Sequence, residues 1–279
     1  MSVKAPRIVA VGDIHGDLDA LQEILGHARM IDVSNRWAGG SNTLVQTGDV
    51  IDRGPKSSEA HDFLRRLQEE AEKAGGQVVR LVGNHELFLL NGEYHYAHAY
   101  DPIELAGKIK ADVLTGTMNG AFAQQGYLFT HGGLRSKVRR HLLGTRGTAG
   151  SLETTEILAE RINEVLVEAV RSNDFSDPCF SYGHEAWKGL GVAGTYWTRF
   201  TEELIDSSDA DAVRQVVGHD IQTHIAQNES GRIFCIDVGI YSDGKRAYLE
   251  ILDGKATAHR CSAAAATRRR RETNSGELF

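Results

Sequence analysis

One local pattern recurs along this chain: a short apolar run, rich in β-branched residues, ends in glycine or threonine, and a polar residue follows at once. The runs lie at 7–11, 43–46, 78–82, 127–129 and 215–217, and the polar residues that follow them are Asp13, Asp49, Asn84, His131 and His219. Short, continuous apolar runs are typical of strands that are buried on both faces. The pattern therefore predicts a fold with several buried strands.

Helical patterns lie between several of these runs. Asp17 or Asp19 can cap a helix that continues to about Ala28, and Ser57 or Ser58 can cap one that continues to about Lys73. A third, long helical pattern covers residues 153–172. Strand, loop and helix in this order predict an α/β fold (α+β in some schemes), in which ligands sit at the carboxyl ends of the strands. We therefore expect all the polar residues that follow the strands to lie together at that edge of the sheet.

Two stretches interrupt the repeating pattern, at residues 88–125 and 135–210, and we interpret both as insertions beside the site. A single catalytic domain over residues 1–261 is the simplest interpretation, because a chain of 279 residues with 41% hydrophobic residues can build one large core. Residues 262–279 combine alanines with the run Arg268–Arg271 and predict a disordered, arginine-rich tail.

The chain is acidic, with 31 Lys and Arg against 38 Asp and Glu and a formal net charge of −7. This balance argues against a broad electrostatic footprint for nucleic acid, and carboxylates suit a hard cation. The N-terminal apolar run at 8–11 is too short for a signal peptide or a membrane span. Three cysteines without Cys-x-x-Cys spacing suit a reducing compartment. We expect a cytoplasmic protein that binds neither nucleic acid nor membranes.

The polar residues lie in glycine-containing motifs. In the motif at residues 12–16, Asp13 and His15 stand at i and i+2, so they project to the same side of an extended segment and can bind one cation together. Asp49 can bridge two cations, because a carboxylate has two oxygens. An amide oxygen from Asn84 and the imidazoles of later histidines complete a donor set without thiolate. Such a set indicates Mn, Fe, Zn or Mg, and not a structural zinc site.

Five motifs in a fixed order carry a resemblance to a known family. They are Gly-Asp-x-His-Gly at 12–16, Gly-Asp-x-x-Asp-Arg-Gly at 48–54, Gly-Asn-His-Glu at 83–86, His-Gly-Gly at 131–133 and Gly-His at 218–219. This order resembles the metal-dependent phosphoprotein phosphatases within the calcineurin-like metallophosphoesterases. The resemblance implies the calcineurin-like fold, a two-layer β-sandwich flanked by helices, with helical insertions near the active site.

The resemblance also implies a role for each motif residue. Two divalent metals, with Mn expected first, would be held by Asp13, His15 and Asp49, and by Asp49, Asn84, His131 and His219. The metals would lower the pKa of a bridging water, whose hydroxide attacks phosphorus directly. His85 would protonate the leaving oxygen, with Asp52 behind it. Arg53 would bind the phosphate oxygens. Arg199 is either a second phosphate-binding arginine or part of a surface salt bridge.

Three details resemble the Shewanella-like group of these phosphatases: the segment Trp197-Thr198-Arg199, the run Val-Val-Gly-His at 216–219, and Ile-Asp-Val-Gly at 236–239. Cyclic-nucleotide phosphodiesterases of the wider superfamily usually carry a Gly-His-x-His motif. Here Ile221 takes the place of the second histidine. This difference favours the phosphoprotein phosphatase pattern.

The expected function is hydrolysis of phosphomonoesters on serine, threonine or tyrosine of a phosphoprotein or phosphopeptide. One alternative is a dinucleoside polyphosphate hydrolase of the diadenosine tetraphosphate type, because those enzymes share three of the motifs. A non-catalytic scaffold with the same fold is another alternative. Scaffold members usually lack a ligand or the catalytic histidine, whereas every such position is filled here.

Overall fold

The computed structural model describes residues 5–144, 152–182, 190–205 and 213–261. The strands in these ranges are β1 (Ile8–Val11), β2 (Thr43–Gln46), β3 (Gln77–Arg80), β4 (Ala121–Gln124), β5 (Tyr127–Thr130), β6 (Arg214–Val217), β7 (Ala226–Gln227), β8 (Ile233–Cys235), β9 (Ala247–Leu252) and β10 (Lys255–Arg260). The α-helices are α1 (Leu18–His27), α2 (Ser57–Lys73), α3 (Asn84–Leu90), α4 (Pro102–Leu114), α5 (Ser136–Leu143), α6 (Leu152–Ser172) and α7 (Ile240–Asp243). A 3-10 helix covers Pro178–Phe180, and a π-helix covers Phe200–Leu204.

The strands form two five-stranded mixed sheets. In the first sheet the order is β10-β9-β1-β2-β3, with β1, β2 and β3 parallel and β9 antiparallel to β1. In the second sheet the order is β4-β5-β6-β8-β7, with β5, β6 and β8 parallel. One hydrophobic cluster joins residues of both sheets, so the sheets pack face to face. The α/β architecture predicted from the sequence is confirmed.

Strand β1 shows why the strand sequences are apolar throughout. Ile8 and Ala10 belong to the core between the sheets, whereas Val9 and Val11 belong to the core under the helices. Successive side chains of a strand point to opposite faces. A strand with a sheet on one face and helices on the other therefore buries every side chain. Each fully buried Val or Ile stabilises the fold by about 1.5–3 kcal/mol.

The predicted helices are present, although one cap differs from the prediction. The Asp17 side chain accepts the backbone N–H of Ala20 at 2.9 Å, as expected for the cap of α1. Ser57 lies inside α2, at its first position, and does not cap it. Its hydroxyl donates to the carbonyl oxygen of Gly54 at 3.2 Å. The residue that precedes the helix is Lys56, and its side chain makes no capping hydrogen bond.

The two ranges interpreted as insertions contain helices on both sides of the sandwich. Helix α4 and strand β4 lie within 88–125, and β4 forms an edge of the second sheet. Helices α5 and α6 lie within 135–210 and pack on the outer face of that sheet. The expected tail at 262–279, with Arg268–Arg271, lies outside the described residues. A single domain over 1–261 stays a prediction.

A buried ion pair fixes α4 to the first sheet. Arg80, at the end of β3, is 1% exposed, and its Nη1 donates to Oδ2 of Asp112 at 2.9 Å. Nε2 of His61 lies 3.3 Å from the same oxygen. Burial alone would raise the pKa of Asp112. The hydrogen bonds from His61 and Arg80, with the charge of Arg80, outweigh burial and lower this pKa to about 2.

Replacing Asp112 with asparagine is expected to lower the free energy of unfolding by about 3 kcal/mol, because the buried charge of Arg80 loses its partner. The folded pKa of Asp112 lies below its ordinary value of 3.8, so its ionised form stabilises the fold above that pH. This contribution is lost as the pH falls from 3.8 through about 2. Urea unfolding at neutral and at acidic pH measures both effects.

The half-exposed Asp243 provides the control for this prediction, since it pairs with Lys245 at the surface. Asp243→Asn is expected to change the stability by no more than about 0.5 kcal/mol. Equal stability losses in the two variants would contradict the role given to the buried pair.

Candidate active site

Polar side chains from both sheets meet at one end of the sandwich. Each of these residues follows the carboxyl end of a parallel strand. In the first sheet Asp13 follows β1, Asp49 follows β2 and Asn84 follows β3, and in the second sheet His131 follows β5 and His219 follows β6. Nε2 of His131 lies 2.8 Å from Oδ1 of Asn84 and 3.5 Å from Oδ1 of Asp49. The expected gathering of these residues at the strand ends is therefore observed.

The contacts of His131 test whether a cation fits here. Its Nδ1 lies 2.9 Å from the carbonyl oxygen of Thr47. A carbonyl can only accept, so Nδ1 carries the proton and Nε2 presents a lone pair. This lone pair faces oxygen atoms of Asn84 and Asp49, and Nδ1 of His219 lies 3.0 Å from the same Asn84 oxygen. Converging lone pairs repel unless a cation lies among them, so the donor set fits a metal ion.

His15 has the same arrangement on the other side of Asp49. Its Nδ1 donates to the carbonyl oxygen of Ile51 at 2.9 Å, which leaves the lone pair on Nε2, 3.6 Å from Oδ2 of Asp49. The two oxygens of Asp49 thus face different imidazoles. Within the described ranges, two groups have ligand atoms within 4.8 Å of one another, and they consist of His15, Asp49 and His85, and of Asp49, His131 and His219. Asp49 is common to both groups.

Asp13 lies outside both of these groups. Its two oxygens accept the backbone N–H of His219 at 3.1 and 3.2 Å, and the residue is 2% exposed. Burial, with the charges of Asp237 and Asp49, raises the pKa of Asp13 well above its usual range. A cation beside this carboxylate would favour its ionised form.

Several motif residues have backbone angles that residues other than glycine rarely adopt. Positive φ angles occur at His15 (44°), Asp49 (54°), Asp52 (67°), Arg53 (66°) and His219 (68°). Such conformations cost on the order of 1–3 kcal/mol each and persist only where surrounding contacts impose them. Gly83 shows how close those contacts are, because a Cβ atom there would lie 2.2 Å from Oδ1 of Asp49. Strain concentrated at one place is typical of a functional site.

Glu86 connects two of the motif loops. Its Oε2 accepts the backbone N–H groups of Gly83 at 2.7 Å and Asp49 at 2.9 Å, and its Oε1 accepts that of Val50 at 2.9 Å. Burial and the charge of Asp49 raise the pKa of Glu86 to about 7. Sequence reasoning gave Glu86 no role. The available signal was its position in α3: Glu86 is the third residue after the N-cap, Gly83. A glutamate at this position of a capping box accepts the backbone N–H of the N-cap residue.

His85 has a different partner from the three histidines above. Its Nδ1 lies 2.7 Å from Oδ2 of Asp52, and both side chains are buried. On the other side of the ring, Nε2 lies 3.3 Å from Nη2 of Arg53 and 4.0 Å from Oδ2 of Asp49. The structure therefore brings together His85, Asp52 and Arg53, as the resemblance implies.

The pKa directions separate His85 from the other histidines. Burial alone would lower the pKa of His85, but Asp49 and the hydrogen bond and charge of Asp52 raise it. Burial lowers the pKa of His15 to about 4, and burial with the charge of His131 lowers that of His219 to about 3. Burial also lowers the pKa of His131. At neutral pH these three imidazoles offer lone pairs, whereas His85 holds a proton more readily.

A cavity of about 810 Å³ opens onto these residues and has an aromatic wall. The wall consists of Phe88, Tyr96, Tyr182 and Trp197. The ring of Tyr96 lies 5.0 Å from that of His85, and the ring of Phe88 lies 5.3 Å from that of Trp197. At the sequence level Trp197 is cited only as a family detail, and the gathering of these four rings was not predicted, because they belong to separate segments of the chain.

Three arginines line this cavity. Arg53 and Arg199 both line it, as does Arg135, which sequence reasoning missed. The Arg199 side chain is 57% exposed, and its Nη1 lies 3.8 Å from Oε1 of Glu202. Arg135 donates to Glu203 at 2.6 Å. Arg199 therefore both lines the cavity and forms a surface ion pair.

Comparison with known proteins relates the whole site to one family. A model of the calcineurin-like phosphoesterases matches residues 6–222. A segment of 93 residues, 33% of the chain, is 46% identical to Shewanella-like protein phosphatase 2 of Arabidopsis thaliana and covers 24% of that protein. A segment of 134 residues, 46% of the chain, is 33% identical to the symmetrical bis(5'-nucleosyl)-tetraphosphatase of Chromobacterium violaceum and covers 43% of it. The chain therefore spans less than half the length of these two relatives.

A solved structure shows the same fold. It is that of a cold-active protein-tyrosine phosphatase of a psychrophilic Shewanella species, with a TM-score of 0.64 at 23% sequence identity. The superposition covers 92% of this chain and 80% of that chain. The two-layer arrangement of sheets and helices is therefore shared over almost the whole chain.

Proposed function

This chain belongs to the calcineurin-like phosphoesterase family, and from that premise we propose that it is a metal-dependent phosphoprotein phosphatase. The proposed reaction is hydrolysis of phosphomonoesters on serine, threonine or tyrosine. The predicted resemblance to the Shewanella-like phosphatases is confirmed by the Arabidopsis relative. Membership of a hydrolase family with every site position filled argues against the non-catalytic scaffold.

The contact between His85 and Asp52, at 2.7 Å, carries this proposal. A buried carboxylate on Nδ1 keeps a proton on that nitrogen and stabilises the doubly protonated ring, in which Nε2 is the atom that can donate a proton to a substrate. Nε2 faces the cavity beside Arg53 and within 4.0 Å of Asp49. An acid beside a metal-type donor set and an arginine is what cleavage of a phosphate ester requires.

The proposed metal ligands follow from the converging donors. One ion would be held by Asp13, His15 and Asp49, and the other by Asp49, Asn84, His131 and His219. A bound dinuclear centre supplies a hydroxide nucleophile and neutralises charge on the phosphoryl group. We keep His85 as the acid and not as a ligand, because the cationic Nη2 of Arg53 lies 3.3 Å from its Nε2 and because its pKa is raised, whereas the pKa values of His15, His131 and His219 are lowered. Oxygen and nitrogen donors support Mn, with Fe, Zn or Mg as alternatives.

The remaining residues of the site bind and protonate the substrate in this proposal. Arg53 binds two phosphoryl oxygens through its planar fork of N–H groups. His85 gives the proton on Nε2 to the leaving oxygen, while Asp52 stabilises the ring that carried it. Arg199, at the rim, is proposed as the second arginine that contacts the phosphorylated segment.

The relative from Chromobacterium violaceum supports a second candidate function, hydrolysis of a dinucleoside polyphosphate. Aromatic rings beside a phosphate site could stack on a nucleobase as well as on a tyrosine ring. We expect the Mn-loaded protein to hydrolyse members of a phosphoserine, phosphothreonine and phosphotyrosine peptide panel with a higher kcat/KM than diadenosine tetraphosphate. Parallel assays with a series of divalent metals measure this, and faster cleavage of the dinucleotide would reverse the ranking.

The location of the protein is a separate question. Among the described helices, none is both long enough and apolar enough to cross a lipid bilayer. A cytoplasmic location, and the expectation that neither nucleic acid nor membranes are partners, stay predictions from the sequence.

A further inference from the structure

Tyr100 reaches the proposed acid from outside the motifs. Its hydroxyl donates a hydrogen bond to Oδ1 of Asp52. The other oxygen of the same carboxylate, Oδ2, lies 2.7 Å from Nδ1 of His85. Tyr100, Asp52 and His85 therefore form one continuous chain of hydrogen bonds. The sequence places Tyr100 in the insertion at 88–125, and nothing in the sequence connects it with Asp52.

The direction of this chain follows from the chemistry of its members. The Asp52 side chain is 1% exposed, and an ionised carboxylate only accepts, so Tyr100 must be the donor. Burial and the contact with Asp52 raise the pKa of Tyr100 above its usual range, which keeps its proton in place. Without Tyr100, Oδ1 of Asp52 would lose this partner inside the protein. A buried carboxylate oxygen without its donor is costly, and the carboxylate would rotate or shift to find another.

The segment that carries Tyr100 is fixed at both ends of the following helix. Asp101, the next residue, caps α4 by accepting the backbone N–H groups of Ile103 at 2.9 Å and Glu104 at 3.1 Å. The far end of α4 is tied to the first sheet through the buried pair of Asp112 and Arg80. Tyr100 therefore projects from a rigid support, as a positioning side chain requires.

We propose that Tyr100 is a positioning residue, whose hydroxyl orients Asp52 so that Asp52 holds the His85 ring toward the leaving oxygen. The inference rests on the proposed function, since it needs His85 to be the proton donor. As the bond between phosphorus and the leaving oxygen breaks, the proton moves from Nε2 of His85 to that oxygen. Tyr100 keeps its own proton and makes no contact with the substrate.

The test compares two aryl phosphates that differ in their need for a proton donor. Para-nitrophenyl phosphate releases para-nitrophenolate, a good leaving group that departs without protonation. Phenyl phosphate releases phenolate, a poor leaving group that needs a proton from the acid. We expect Tyr100→Phe, loaded with Mn, to lose about tenfold in kcat on phenyl phosphate, since one hydrogen bond to a charged group is removed. KM, the metal content, and the kcat on para-nitrophenyl phosphate are expected to stay at the parental values.

Tyr94 supplies the matched control. It lies in the same segment and is 40% exposed, so Tyr94→Phe removes the same hydroxyl from a place away from the acid. This variant is expected to match the parent on both substrates. An equal loss for Tyr100→Phe on both substrates, an unchanged kcat on phenyl phosphate, or a variant that fails to fold or loses metal would each overturn the positioning role.

A double-mutant cycle with Asp52→Asn tests the route of the effect. If Tyr100 acts only through Asp52, the Asp52→Asn/Tyr100→Phe protein is no slower on phenyl phosphate than Asp52→Asn alone. Independent, multiplying losses would overturn the proposal. His85→Asn separates the two levels of inference. If His85→Asn hydrolyses phenyl phosphate at the parental rate, His85 is not the acid and the proposed mechanism is wrong. If His85→Asn is slow but Tyr100→Phe keeps the parental rate, only the role of Tyr100 is wrong.

Discussion

Asp49→Ala is expected to lower kcat/KM by on the order of 1,000-fold, or about 4 kcal/mol of transition-state stabilisation. Asp49 is the residue common to both groups of converging donors. Its Oδ1 faces His131 at 3.5 Å and its Oδ2 faces His15 at 3.6 Å. Alanine removes both oxygens, so neither proposed ion keeps its ligand set, and the nucleophile that the ions supply is lost with them.

Metal content by mass spectrometry, together with hydrolysis of an aryl phosphate in the presence of Mn, measures this effect. Asp19→Ala is the control, because Asp19 is an aspartate with a 74% exposed side chain that pairs with Lys56. It is expected to keep both the metal content and the rate. An Asp49→Ala protein that binds two ions and turns over at the parental rate would show that Asp49 is not the bridging ligand.

His85→Asn is expected to keep the metals and to lose on the order of 100-fold or more in rate on substrates with poor leaving groups. Of the four histidines at the site, His85 is the one whose pKa is raised overall, and Asp52 occupies its Nδ1. The amide of asparagine can occupy part of the space of the imidazole, but it cannot act as a proton donor to the leaving group. The ligands on either side of it are unchanged, so the ions are expected to remain.

The measurement pairs metal content with kcat on phenyl phosphate and para-nitrophenyl phosphate. The loss is expected to be larger on phenyl phosphate, since that leaving group depends on the acid. His85 also lies in one of the two groups of converging donors, with His15 and Asp49. Loss of one metal ion in His85→Asn, with equal losses on both substrates, would identify His85 as a ligand and not as the acid.

The gathering of the ligand residues was predictable because it follows from topology. Parallel strands place their carboxyl ends at one edge, so residues that follow them must come close together. Asp49 and Asn84 lie 35 positions apart in sequence, yet both follow neighbouring parallel strands, β2 and β3. The positions of the strands and their parallel direction are therefore sufficient to predict that these two residues lie close together.

Other contacts were not predictable, because they depend on how loops fold in three dimensions. Tyr100 reaches Asp52 only because α4 packs where it does. Ser57 was expected to cap a helix, but the preceding loop gave it the carbonyl of Gly54 instead. The positive φ angles at Asp52 and Arg53 are imposed by tertiary contacts, and the conformational propensities of aspartate and arginine do not predict them.

The three hydrogen bonds of Glu86 have a consequence for local unfolding. Its carboxylate holds amides of Gly83, Asp49 and Val50, which belong to two loops far apart in sequence. Opening either loop leaves this buried carboxylate with fewer donors, so the lowest-energy opening releases both together. The start of the helix that carries His85 and the loop that carries Asp49 therefore form one cooperative unit. A local opening that loosens His85, the proposed proton donor, is therefore expected to displace Asp49 as well.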